Sequence, residues 1–341
     1  MLKTITTLLI LTTLALADGP LLQTGQVKSY DADGTIVSDG SIEDDGYYQI
    51  GKSREYSRSA VGVVRDHVTG LEWQDNVDSV SKLWVTQANY DAGNYDDTTG
   101  DTAAIYCSEL GLDGGAWRLP SIWELLTLFD ASQFNPSVTK DIFDHISSDG
   151  YWSSTTEVDY TSKAAWTLSF NRGYAYPYSK SEDYYVRCVR GGQLEPSNLY
   201  SEPHQIIRDS TTGLQWQDNS DVEAVGHNWT EAIKYCENSV NLGGYTDWRL
   251  PNINELLSIV DYTRHDPSVN MDEFMNISST PHYWSSTTTA GFTSDMWVVS
   301  FTIGYMASAD KSSDMYYTRC VRGGQLEHST FKPAIIMYLL N

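Results

Sequence analysis

Apolar residues recur at helical spacing in two stretches of the 341-residue chain, and each stretch occurs twice. In one, Trp229, Ala232, Ile233 and Cys236 follow the i, i+3, i+4, i+7 rhythm of an amphipathic helix, which turns the cysteine toward a core. Ala104, Cys107 and Leu110 repeat that face in shorter form. After a Trp-Arg-Leu-Pro corner, a second helix is predicted with Ile122, Leu125, Leu126 and Phe129 on one face, matched by Ile253, Leu256, Leu257 and Val260. Ser121 with Glu124, and Asn252 with Glu255, have capping-box spacing at the start of that helix, so each glutamate reads as a cap rather than as a general acid. The period then shortens to two. "WTLSF" from Trp166 and "WVVSF" from Trp297 alternate apolar and small polar residues, and Gly173 or Gly304 follows within three residues as a hairpin signal. "YYVRCVR" and "YYTRCVR" form a last strand. The expectation for each half is an α+β fold of two helices and a small antiparallel sheet.

Other phrases recur in the same order: "RDHVTGLEWQDN" from Arg65 with "RDSTTGLQWQDN" from Arg208, "YWSSTT" from Tyr151 and Tyr283, and "RCVRGGQLE" from Arg187 and Arg319. This is a tandem repeat of about 130 residues, each copy long enough to fold alone. The reading divides the chain into a signal peptide over 1–17, an Asp/Gly/Ser-rich lead-in over 18–60, copy one over 61–194, copy two over 204–326, and an apolar tail over 327–341. Copy one carries an acidic insertion, Asn89 to Asp101, with the composition of a loop. The lead-in reads as extended or partly disordered.

Charge narrows the partners. With 22 Lys plus Arg against 45 Asp plus Glu, the net charge is −23, which repels nucleic acid and bare anionic lipid and favours neutral glycans, cationic partners or cation-bridged ligands. The opening apolar run, Ile5 to Leu16, is shorter than the roughly 20 residues that span a bilayer and reads as an export signal, with small residues at Ala15 and Ala17. The expected location is therefore secreted, periplasmic or cell-surface. The four cysteines, Cys107, Cys188, Cys236 and Cys320, fall two per copy, which in an oxidising compartment reads as one disulfide per copy, with free or differently paired thiols as the alternatives.

Catalytic chemistry is not legible. Seven histidines, at 67, 145, 204, 227, 265, 282 and 328, show no metal-ligand spacing and no matching position between copies, and the serines of "YWSST" have no matching base. The expectation is a protein that is not an enzyme and needs no cofactor. Asp31, Asp33 and Thr35 copy the start of a calcium loop, but Ile36 stands where glycine is wanted and no glutamate closes the loop, so calcium has no motif behind it. The recurring pairs Trp73/Trp216, Trp117/Trp248, Trp152/Trp284 and Trp166/Trp297 read as packing, and the recurring arginines as partners of Asp or Glu. Ligand recognition is then expected on loops that differ between copies: the insertion around Tyr90 to Asp97, the segments after "YWSSTT" with Tyr160, and "YAYPYSKSED" with "YMASADKSSD". The binding candidates are Tyr174, Tyr176, Tyr178 and Tyr305 for stacking area and Lys180 as a cation.

The phrases "TGLEWQD", "GGAWRLPSIWELL", "YWSST" and "RCVRGG", with their second-copy counterparts, resemble the bacterial Lcl C-terminal domain family over about 61–194 and 204–326. The resemblance implies two tandem C-type lectin-like domains, each tied by a disulfide from first helix to last strand, and an adhesin-like role toward sulfated polysaccharides. Two departures bear on that role. The EPN, QPD and WND tripeptides of calcium-dependent lectins are missing, with only "NPS" at Asn135 and "DPS" at Asp266 as echoes, and the charge opposes a sulfated ligand. The leading expectation is an exported, non-catalytic binding or adhesion module that takes a glycan or surface protein through inter-strand loops. A structural module of an envelope or extracellular assembly is the alternative, and a hydrolase comes third.

Overall fold

The computed structural model describes residues 21–77, 80–139, 141–158, 162–194, 197–278 and 282–324. The signal peptide, the C-terminal tail and Tyr160 lie outside the described residues. Helices are short: α1 Asp45–Tyr48, α2 Gln87–Asp91, α3 Ala103–Ser108, α4 Ile122–Leu126, α5 Trp229–Asn238 and α6 Ile253–Ser258. Strands dominate, arranged in five sheets. This corrects the α+β expectation and its two-helix C-type lectin-like pattern: the chain is mostly β, 14% helical against 29% strand.

Two local causes account for the difference. The second helix starts where its capping box places it, with Ser121 Oγ accepting from the Glu124 amide and the Glu124 carboxylate accepting from the Ser121 amide; Asn252 and Glu255 do the same for α6. It stops early because the amides of Thr127, Leu128 and Phe129 each bond the carbonyl three residues back, which tightens the last turn and swings Phe129 into a bridge with Val138. The second cause is the "TGLxWQD" phrase, which is a hairpin. Val63–Asp66 pairs with Glu72–Gln74, and Ile206–Asp209 with Leu214–Gln217, each around a glycine in left-handed conformation, Gly70 (φ 76°) and Gly213 (φ 75°).

Each copy contains two sheets. In copy one a five-stranded sheet runs Val80–Leu83, Asp183–Val186, Gly150–Thr156, Ala164–Ser169, Tyr174–Ser179, beside a four-stranded sheet that ends on Val189–Arg190. In copy two the larger sheet is reduced to the meander Tyr283–Thr288, Asp295–Ser300, Tyr305–Asp310. One face of each meander carries the first helix and its disulfide, Cys107–Cys188 to α3 and Cys236–Cys320 to α5, which is the one-per-copy pairing expected from the sequence. In α3 the buried partner of Cys107 is Ala103, not Ala104.

The opposite faces meet in one core that includes α4, α6 and both four-stranded sheets. Aromatic side chains cross between the copies reciprocally: Trp166 of copy one meets Tyr262 at 4.7 Å, and Trp297 of copy two meets Phe129 at 5.3 Å, both edge-on. Residues 21–52 of the lead-in lie mainly on copy two and touch copy one where the Ala131 amide donates to the Thr24 carbonyl (2.8 Å). Asn254 donates to the Leu22 carbonyl (2.9 Å), the Thr288 amide to the Gln26 side chain (2.7 Å), and the Thr287 hydroxyl to the Asp45 carboxylate (2.8 Å). Gly46 is required there, because a β-carbon would stand 2.2 Å from the Lys28 carbonyl.

Candidate functional site

Period-two alternation along Tyr174–Ser179 places Tyr174, Tyr176 and Tyr178 on one side of an edge strand, with Tyr176 opposite Thr167 and Tyr178 opposite Ala165. Their fates differ. Tyr174 is partly buried against Trp297 of the other copy (5.4 Å), and its hydroxyl bonds Ser308 Oγ (2.9 Å). Tyr176 and Tyr178 remain 47% and 39% exposed.

These two rings belong to a longer strip. Centroid steps of 4.9 Å from Tyr184 to Tyr178, 5.7 Å to Tyr176, 5.9 Å to Tyr305, 5.3 Å to His282 and 5.1 Å to Tyr316 carry aromatic surface from one copy to the other. Both ends rest on a buried tryptophan, Trp152 under Tyr184 (4.9 Å) and Trp284 under Tyr316 (5.0 Å). The middle is asymmetric for a simple reason. Copy two has Ala307 and Ala309 where copy one has Tyr176 and Tyr178, and copy one has Gly150 where copy two has His282. A β-carbon at Gly150 would stand 2.7 Å from the Tyr184 ring, so Tyr178 covers Tyr184 in copy one while His282 covers Tyr316 in copy two.

The strip is uncharged at neutral pH. Burial lowers the His282 pKa below its ordinary value against the opposing pull of Asp314, so the ring is neutral, and its Nε2 meets the Tyr305 hydroxyl at 2.8 Å. Burial also raises the Tyr184 and Tyr316 phenols. The charges that act on these rings, Glu182, Asp149 and Asp314, are all acidic.

The remaining candidates sit elsewhere. Lys180 is fully buried over the Trp84 ring (4.0 Å) and bonds Asp96 of the insertion at 2.7 Å, so it is not an exposed cation. Its counterpart Lys311 lies over Trp229 (4.6 Å) and donates to the Asp31 and Thr293 carbonyls. The Asp31 side chain accepts from the Asp33 and Thr35 amides and thereby closes the lead-in hairpin. Among the described residues, no three His, Cys, Asp or Glu side chains converge as metal ligands. A Ser–His contact, Ser57 Oγ to His67 Nε2 at 2.7 Å, lies exposed and away from the strip.

All eight recurring tryptophans are buried, so the exposed rings of the strip are tyrosines. Tyr184, Tyr316 and His282 were missed by sequence reasoning. The signal was present in the "YY" dipeptides before each second cysteine, since alternation sends the two tyrosines of each pair to opposite faces: Tyr185 and Tyr317 pack on the shared core, Tyr184 and Tyr316 at the margin of the core beneath the first helix of each copy.

The model of the Lcl C-terminal domain family matches residues 62–190 and again 205–322, one match per repeat. A comparison with curated proteins finds no match.

Proposed function

The chain belongs to the Lcl C-terminal domain family in both of its repeats, and on that premise we propose that it is an exported, non-catalytic binding module whose ligand stacks along the aromatic strip. The observation that carries this reading is the continuity of six rings across the two copies, with Tyr176 and Tyr178 exposed at its centre. A glycan chain fits such a surface, because sugar faces offer C–H groups to ring faces while their hydroxyls stay in water. An uncharged strip with acidic neighbours favours a neutral glycan over a sulfated one. Two disulfides suit an oxidising compartment outside the cytoplasm. The hydrolase reading finds little support in Ser57 and His67, because among the described residues no carboxylate orients the histidine.

The test is the double change Tyr176→Ser, Tyr178→Ser against a panel of neutral and sulfated oligosaccharides. Two stacking positions at about 0.5–1.5 kcal/mol each predict a loss of affinity on the order of tenfold or more for a neutral ligand. The same exposed substitutions should cost only about 1 kcal/mol of stability. Unchanged affinity in a folded double variant, or binding confined to a protein partner, would remove the glycan reading.

A further inference from the structure

A groove of about 120 Å³ opens where the lead-in, α4 of the first repeat and α6 of the second come together, away from the rings of the strip. Its walls are apolar: Leu21 and Leu22 from the lead-in, Trp123 and Leu126 from α4, Leu257 from α6, and Leu194 from the end of copy one. One charged side chain lines it, that of Arg54; the remaining lining residues are Ser, Thr and Asn.

The bonding of Arg54 is incomplete in a way that its neighbour's is not. Arg58 pairs with Asp75 and Asp144. Arg54 donates instead to neutral oxygens, the Thr127 and Phe129 carbonyls and the Tyr56 hydroxyl, and among the described residues it meets no carboxylate. A guanidinium has five N–H donors, so three bonds leave two unused, and the Nε–H is one of them, buried without a partner. The other unused donor is on Nη2, where a carboxylate oxygen would accept a charge-assisted bond. In a chain with 45 acidic residues and 22 basic ones, an arginine without an acid beside an apolar groove is complementary to a ligand that brings its own.

We infer that this groove binds a small amphiphilic carboxylate, a medium-chain fatty acid, with its head group against Arg54 and its alkyl chain along the leucines. The ligand touches the lead-in and both repeats at once, so its binding also holds the three segments together. The site shares no ring with the strip and stands or falls apart from the glycan reading.

Calorimetric titration of the full chain with decanoate, octanoate and hexanoate, and with decanol as a tail that lacks the acid, tests the inference. Each pair of methylenes buried should tighten binding on the order of tenfold. Arg54→Met should weaken decanoate on the order of tenfold or more and leave decanol unchanged, and retained decanol binding shows that the variant is folded. If Arg54→Met does not fold, Leu194→Asn decides: weakened decanoate binding supports the site, and unchanged binding overturns it. Absence of decanoate binding to the parent chain, affinity independent of chain length, or equal loss of decanoate and decanol in Arg54→Met would each overturn it as well. So would binding that appears only when residues 331–341 are removed, since the chain's own apolar tail would then be the occupant.

Discussion

Asp45 is a carboxyl group in full burial, with the Thr24 and Thr287 hydroxyls both donating to its Oδ2. Burial outweighs those bonds and raises its pKa from 3.8 to about 7. A folded-state pKa above the unfolded value means that the native state holds the proton more tightly, so stability present at low pH is lost as pH rises from about 4 through 7. Asn is nearly isosteric, and its oxygen accepts the same two bonds. Asp45→Asn should therefore gain on the parent as pH rises over that window, by about 4 kcal/mol at most. Urea unfolding of both proteins at pH 5 and pH 8 measures it, and a parallel response of the two would show that Asp45 ionises freely. The side chains of Tyr174 and Tyr176 illustrate how far sequence reasoning reaches at this level. Alternation puts them on one side of a strand, but a tryptophan 123 positions beyond Tyr174 decides that one is covered while the other stays open.

The lead-in and the acidic insertion, unrelated in sequence, take equivalent places on the two copies. Each lies over a buried lysine that packs on a tryptophan, Lys180 beneath the insertion and Lys311 beneath the lead-in hairpin. Burial lowers Lys311 to about 8, and the nearby Asp44 and Asp31 oppose that fall. Removing the lead-in, in a chain that begins at residue 53, should therefore uncover Lys311, Thr287 and Thr288. Hydrogen exchange is expected to accelerate in Tyr283–Thr288 while Gly150–Thr156 keeps its protection; equal loss in both strands, or loss in neither, would mean that the lead-in is not a local cover for copy two.

The repeats share one hydrophobic core through Trp166, Tyr262, Phe129 and Trp297. An isolated copy would expose its half of those rings, and large aromatic residues are among the costliest to return to water. The full chain should accordingly melt in a single calorimetric transition, and a chain limited to residues 205–324 should bind a hydrophobic dye and lack a sharp transition. Two resolved transitions in the full chain would instead mark two independent cores. Among the described residues no helix is long and apolar enough to cross a membrane, so whatever the strip and the groove bind, the described part does not span a bilayer as a helix.

What could be read from residue order alone was local or repeated. The duplication and the burial of the recurring tryptophans rest on phrases that return in order, the disulfide pairing on two cysteines falling in each copy, and the capping boxes on a three-residue spacing that chain geometry fixes. Helix length was misjudged because the apolar face runs past Leu126, while tight three-residue bonds and the Phe129–Val138 bridge end the helix there. Which tyrosines face water, where the lead-in lies and what Arg54 lacks depend on contacts between segments far apart in the chain. Periodicity names the two sides of a strand, but only the packing of one repeat against the other determines which side remains open to a ligand.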